Sequence, residues 1–390
     1  MTTITIIGGG LAGLTAAIAS AERGAAVVLH EAHSHLGGRA RSTDGPYIAN
    51  DGAHAFYADG APWRWLKERG LVQPFHALKP STLARMRFRH EDRLRRLPPM
   101  PFNRMVTLGR RHRAPVEVSY RDWATGRFGP AAYRASLGFL RPVTFFHDPG
   151  SLSAAFCQER LHRVVAMGYP ATRYPRGGWG AMIANMRRRA VGLGVRIETG
   201  SRVTALPEDG PVIVATSLEA ARDLLGDPSL RWESGRVACR DLALPSGRDD
   251  TPLLFDLDEG ALLERFSETD PSLAPSGRSL VQGYMPARPD ESKADALRRL
   301  DRVYDQALPG WRTRLVWSRD QLAHHRTGAL DLPGRTWRDR PAIDQGDGRY
   351  LAGDMVAAPG ILAEVSITSA LKAATQATHH PRRPSPQLQP

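Results

Sequence analysis

A glycine cluster, Gly8-Gly9-Gly10-Leu11-Ala12-Gly13, and one acid, Glu31, are the first residues in the chain whose types and spacing suit a chemical task. The glycines satisfy G-x-G-x-x-G directly behind an apolar run, Ile4-Thr5-Ile6-Ile7, and at the mouth of an alanine-rich helical stretch, Leu14 to Arg23. In that setting Gly8 permits a tight turn, Gly10 lets the backbone approach a pyrophosphate, and Gly13 lets the helix pack closely. The helix N-terminus adds N–H donors and partial positive charge. Glu31 ends a second strand that runs through Ala26-Val27-Val28-Leu29, where a carboxylate accepts hydrogen bonds from an adenosine ribose and disfavours a 2′-phosphate. The pattern is a β-α-β unit built for a dinucleotide, and it fits FAD and NAD equally.

A second cluster, Leu36-Gly37-Gly38-Arg39-Ala40-Arg41-Ser42, follows within a few residues. Two glycines let the chain run against a cofactor, and an arginine fork pairs with phosphate oxygens. Next comes Asn50-Asp51-Gly52-Ala53-His54-Ala55-Phe56. Near the C-terminus, Tyr350-Leu351-Ala352-Gly353-Asp354 and Pro359-Gly360-Ile361-Leu362-Ala363-Glu364-Val365-Ser366 lead into an alanine-rich helix. With these continuations the sequence resembles the FAD-dependent amine oxidase and phytoene desaturase superfamily.

The resemblance implies noncovalent FAD, with contacts at Gly8, Gly10, Leu11, Ala12, Gly13, Glu31, Ala32, Gly37, Gly38, Arg39, Gly52, Ala53, Val203, Gly353, Asp354, Leu362 and Val365. It implies that Asp354 meets the ribityl chain or the pyrophosphate. It also aims the helix after Leu362 at the flavin pyrimidine ring, where oriented N–H groups stabilise the charge of the reduced ring. Val203 would hold adenine through its backbone, with a plain core role as the competing reading, and Tyr174-Pro175-Arg176-Gly177-Gly178-Trp179 looks like the family's proline-glycine-glycine entry to a helix. By the same resemblance Ala53-His54 runs near the reactive face of the flavin. His54 is thus the candidate catalytic residue, as proton acceptor or substrate-orienting group, against the plainer reading of a histidine packed beside the cofactor.

These elements imply an α/β architecture: a Rossmann-type FAD-binding domain, a parallel sheet with helices on both faces, plus an inserted mixed α+β substrate domain. The FAD domain is expected from 1–80, 166–236 and 337–378, the substrate domain from 81–165 and 237–336, and a disordered tail from 379–390. Within the insertion, short amphipathic stretches broken by Pro98, Pro99, Pro101 and Pro115 read as mostly helical. A chain of 390 residues is long enough for two or three domains.

Composition narrows the functional classes. Cys157 and Cys239 are too few and too far apart for a disulfide framework, and Cys157 with His162 is no ligand set, so no metal and a reducing cytoplasm are expected. No basic leader precedes Thr3 and no apolar run reaches the length of about 18 residues that a membrane span needs. The net charge of +13 is carried almost entirely by arginine spread along the chain, since the lysines are only Lys67, Lys79, Lys293 and Lys372. Without an interleaved aromatic and basic motif, nucleic acid is not an expected partner. The densest basic stretch, Arg85 to Arg113 with Arg93-Leu94-Arg95-Arg96 inside it, is a candidate for peripheral contact with lipid headgroups. No residue pattern specifies an oligomer.

Members of the monoamine oxidase type often keep a lysine on a substrate-domain strand, and none here lies on an expected strand. The reading is therefore hydride removal from a lipophilic organic small molecule by desaturation or dehydrogenation, the flavin being reoxidised by oxygen or another acceptor. Three alternatives stand beside it: an amine or amino-acid oxidase, a redox-neutral FAD-dependent isomerase, and a non-enzymatic scaffold binding lipid or protein. His324-His325 reads as a solvated or loop pair.

Overall fold

The computed structural model describes residues 2–109, 111–165 and 172–380. Most of the tail expected to lack order therefore lies outside the described residues. The chain divides into two compact units, one from Met1–Ala40, Ile183–Arg231 and Arg338–Pro390, the other from Arg41–Met182 and Trp232–Trp337.

The first unit is an α/β layer. Five parallel strands run in the spatial order Arg349–Leu351, Val212–Val214, Thr3–Ile7, Ala26–Glu31, Arg196–Thr199. Thr3–Ile7 is central and buried from Ile4 onward, as a β-branched strand in a covered parallel sheet should be. The glycine cluster turns the chain from this strand into the helix Leu11–Ala21, which packs on the C-terminal helix Ala363–Thr378. Alanines dominate both helices and nearly all are buried, which lets the two axes approach closely.

The second unit is built on a seven-stranded mixed sheet in the order Trp317–Ala329, Ser234–Pro245, Arg278–Pro286, Leu262–Glu264, Leu253–Asp256, Arg87–His90, Arg93–Arg95. One face is covered by the helix Lys293–Ala307, whose Leu300, Val303 and Tyr304 meet Ala238, Leu242, Val281 and Met285. That helix begins at Lys293, where the Ser292 hydroxyl accepts the Asp295 N–H at 3.1 Å and caps it.

The insertion carries the helices Met100–Gly109, Tyr120–Phe128, Pro130–Thr144 and Ala154–Val164, packed around Phe139, whose ring stacks on Phe255 at 4.5 Å. It also carries an unexpected hairpin, Arg87–His90 with Arg93–Arg95. Its turn puts Glu91 and Asp92 in the left-handed region, at φ 52° and 59°, without the usual glycine or asparagine. The Asp258 carboxylate compensates by accepting both turn N–H groups at 2.9 and 3.0 Å. His324 and His325 lie on the long strand Trp317–Ala329 and not in a loop.

Candidate functional site

In the first unit the expected cofactor residues gather at the carboxyl ends of the parallel strands, the edge at which open α/β sheets bind ligands. Gly8 to Gly13 follow Thr3–Ile7, Glu31 and Ala32 end Ala26–Glu31, Val203 lies just past Arg196–Thr199, and Gly353-Asp354 follow Arg349–Leu351. Backbone bonds tie the pieces together. Gly37 N–H donates to the Gly9 carbonyl at 2.9 Å, and the loop before Val203 reaches the Glu31–His33 corner through Ser201 N–H to Glu31 O and Gly200 N–H to His33 O, both 2.8 Å.

Gly13 is a packing necessity, because a Cβ there would lie 1.8 Å from the Gly8 carbonyl oxygen. Gly10 is different: a Cβ there would meet nothing nearer than Gly37 O at 3.8 Å. It is the N-cap of Leu11–Ala21, without a capping side chain and without an acid in the first turn. A bare helix N-terminus without close contacts over Gly10 is a cradle that a pyrophosphate fits.

Glu31 does more than the ribose contact expected of it. Its buried carboxylate accepts Gly9 N–H at 2.7 Å through Oε2 and His33 N–H at 2.9 Å through Oε1, so it shapes the glycine loop. Each carboxylate oxygen has a second lone pair, which leaves acceptor capacity for a diol.

The Arg39 guanidinium grips Asp354 in a two-bond fork, Nη1 to Oδ2 at 2.5 Å and Nη2 to Oδ1 at 2.7 Å. The Asp354 charge raises the Arg39 pKa above its ordinary value. The two terminal motifs are therefore joined directly to each other. Gly353 is tied in turn to the C-terminal helix, its N–H donating to Ser369 Oγ and its carbonyl accepting the same hydroxyl, both at 3.0 Å. At the start of that helix Leu362 takes φ 53°, Val365 is buried, and the Glu364 carboxylate accepts Ile361 N–H at 3.0 Å. An acid thus shares the helix N-terminus expected to face the pyrimidine ring.

Gly52, Ala53 and His54 belong to the second unit. The chain just before them is clamped from several sides, and sequence reading missed the clamp. Asn50 Oδ1 accepts Trp179 N–H and the Ser42 hydroxyl, each at 2.8 Å, and Ser42 Oγ accepts Gly180 N–H at 2.8 Å, so this pair caps the helix Gly178–Gly192. From the sheet, Arg319 donates to Asn50 O at 2.8 Å, Asp51 Oδ1 at 2.9 Å and Asp241 Oδ2 at 2.8 Å. Gln282 Nε2 donates to Asn50 O at 2.9 Å and Asp241 Oδ1 at 2.6 Å. Burial pushes the Asp241 carboxyl up to about 6 against the pull of Arg319.

His54 is fully buried between Phe266, 4.7 Å between ring centroids, and Tyr174, 5.6 Å, and neither ring nitrogen has a hydrogen-bond partner. Burial lowers its pKa to about 4, only partly opposed by Asp270. Nearby on the same core, Glu264 opposes Gln282 across the sheet, and burial pushes its carboxyl up to about 8 despite the Tyr174 hydroxyl beside it. Ala53 packs on Cys239 and Tyr284 of the same sheet. Among the described residues, no group of three or more His, Cys, Asp or Glu converges to hold a metal ion, and no helix is long and apolar enough to cross a membrane.

Comparison with known proteins agrees with the geometry. Residues 6–68 match the NAD(P)-binding Rossmann-like domain family. No curated protein sequence matches the chain. Among solved structures, an oxidoreductase from Methanosarcina mazei superposes with a TM-score of 0.76 at 16% identity, covering 96% of this chain and 100% of that one. Cyclohexylamine oxidase from Brevibacterium oxydans IH-35A gives 0.74 at 15% identity over 97% and 98%. Reduced UDP-galactopyranose mutase gives 0.71 at 15% identity over 96% and 95%. The chain shares the fold of these proteins, with an NAD(P)-binding Rossmann-like domain over residues 6–68.

Proposed function

We propose that this chain is an FAD-dependent oxidoreductase that removes hydride from a lipophilic organic molecule by desaturation or dehydrogenation. The observation carrying this reading is the uncapped helix N-terminus at Gly10, set beside Glu31 and beside the Gly353-Asp354 corner that Arg39 holds. Bound FAD supplies the hydride acceptor.

The residues of the chain supply placement. Gly10, Leu11 and Ala12 present backbone to the pyrophosphate, Glu31 accepts the ribose diol, and Asp354, fixed by Arg39, meets the ribityl or pyrophosphate region. Noncovalent binding is supported by the cysteines. Cys157 is buried with its thiol donating to Pro149 O at 3.3 Å, and burial raises the pKa of both thiols, which keeps them protonated and poorly nucleophilic. Every lysine lies off the strands: Lys67, Lys293 and Lys372 in helices and Lys79 at a helix N-cap. That favours C–C over C–N oxidation.

The first test is the visible spectrum of the purified protein, followed by acid precipitation. A flavin spectrum that moves into the supernatant supports noncovalent FAD, and colourless protein that takes up no flavin refutes the proposal. Anaerobic stopped flow with polyene and amine panels then separates the reactions. Bleaching by amines alone would establish amine oxidation, and redox-neutral turnover that requires reduced flavin would establish isomerisation.

A further inference from the structure

Residues 93–104, Arg-Leu-Arg-Arg-Leu-Pro-Pro-Met-Pro-Phe-Asn-Arg, contain four arginines and no acid. They run from the outermost strand of the seven-stranded sheet, Arg93–Arg95, into the helix Met100–Gly109. Within this short stretch Leu94 is 39% exposed, Leu97 73% and Met100 77%. The last two are the most exposed large apolar side chains among the described residues. Their exposure does not come from a loose helix, since Phe102, Met105 and Val106 on the same helix are buried in the core around Phe139.

Prolines and local hydrogen bonds reduce the number of open backbone groups at the Pro98–Pro101 turn. Pro98, Pro99 and Pro101 have no N–H to desolvate. The Pro98 carbonyl accepts Asn103 Nδ2 at 3.1 Å, and the Pro99 carbonyl accepts the N–H groups of Phe102 and Asn103 at 3.0 and 3.1 Å. Each missing N–H and each paired carbonyl lowers the cost of bringing this turn into an apolar medium. Around it Arg93, Arg95, Arg96 and Arg104 are all exposed, and among the described residues only Arg95 of these has an ion-pair partner, Glu91 at 2.9 Å.

We propose that this tip is a membrane-docking surface, with Leu97 and Met100 entering the acyl boundary of an anionic bilayer and the arginines on its headgroups. Aliphatic prongs within a basic collar are the arrangement of peripheral membrane anchors. A nucleic acid would call for exposed aromatic rings between the arginines, and there are none in 93–104. The surface stands on its own geometry and does not depend on the reading of the flavin site.

Flotation of the purified full-length protein with phosphatidylcholine vesicles, with and without phosphatidylglycerol, tests it. The protein should float with the anionic vesicles, remain behind with the neutral ones, and bind less as salt rises. Arg93→Glu with Arg96→Glu should weaken binding at least about fivefold per residue. Leu97→Asp with Met100→Asp should abolish it at unchanged melting temperature, because both side chains lie outside the core. Leu332→Asp, at an exposed leucine elsewhere on the surface, should float as the parent does. No flotation of the parent overturns the proposal. So does retention of binding by the Leu97→Asp/Met100→Asp variant, and so does tighter binding to single-stranded RNA than to anionic vesicles.

Discussion

Gly10 and Gly13 stand in one loop, yet they answer to different demands. At Gly13 a methyl group would fall 1.8 Å from a backbone oxygen that cannot move without breaking the turn, whereas at Gly10 it would meet only Gly37 O, at an ordinary contact distance of 3.8 Å. Gly13→Ala is therefore expected to cost at least about 3 kcal/mol of stability. Gly10→Ala should stay within about 1 kcal/mol of the parent but lose flavin, because the methyl occupies the pyrophosphate cradle. Urea titration and flavin content, measured on both variants, separate the two roles. A Gly10→Ala protein that keeps its full flavin complement would refute the cradle assignment.

His54 and Glu264 are predicted to bend the pH–stability curve from opposite ends. His54 titrates near 4 when folded against an ordinary 6.5, so the unfolded chain takes its proton first and stability falls as pH drops from about 6.5 towards 4. Glu264 titrates near 8 against an ordinary 4.5, so the unfolded chain ionises first and stability falls as pH rises through that interval. Each effect has an upper bound of several kcal/mol. His54→Phe should flatten the acidic limb and Glu264→Gln the basic limb of melting temperature against pH, relative to the parent. Profiles that merely shift in parallel would show that neither group is dry.

At the scale of elements, the clamp on Asn50-Asp51 rests on one cation. Arg319→Met leaves Asp241 buried without its guanidinium and removes one donor each from Asn50 O, which keeps Gln282, and Asp51, which keeps Gln321. A loss of about 3–5 kcal/mol is expected in urea titration. Adding Asp241→Asn should restore part of it, since the uncompensated charge is then gone; a double variant no better than the single would mean that the ion pair is not the cause. This clamp also marks where the sequence stopped being readable. The glycine loop, Glu31 and the flanking strands were legible because their signals are local: β-branched runs, glycines and an acid at fixed spacing. The strand Trp317–Ala329 was not, because it is polar on both faces. Asp241 pairs with Arg319 on one face and Arg240 with Asp320 on the other, through partners far apart in sequence. Alternation of apolar and polar residues, the usual strand signal, is erased when opposed charges on both faces hold the pair together. The Arg39–Asp354 fork was hidden for the same reason, since each residue carries its own reading as a cofactor ligand and only the fold makes them partners.

At the scale of the whole molecule, the first unit draws its sheet from three separate stretches of chain, and its glycine loop and its Gly353-Asp354 corner come from opposite ends. A ligand bound at both must oppose their separation. Binding only to the folded state adds stability by mass action, about 2.7 kcal/mol at a free concentration of one hundred times the dissociation constant. FAD added to deflavinated protein should therefore raise the melting temperature in a concentration-dependent way. NAD should do so much less, because it cannot place a ribityl chain against Asp354. Asp354→Asn keeps the side-chain shape while removing the charge that Arg39 grips, so it should reduce the FAD-induced shift more than it reduces the melting temperature without FAD. Arg39 is half-exposed, and its ion pair alone contributes only about 1 kcal/mol. An Asp354→Asn protein with the full FAD shift would place the ribityl contact elsewhere. An equal shift with NAD would return the site to the more general dinucleotide reading with which the glycine loop and Glu31 are equally compatible.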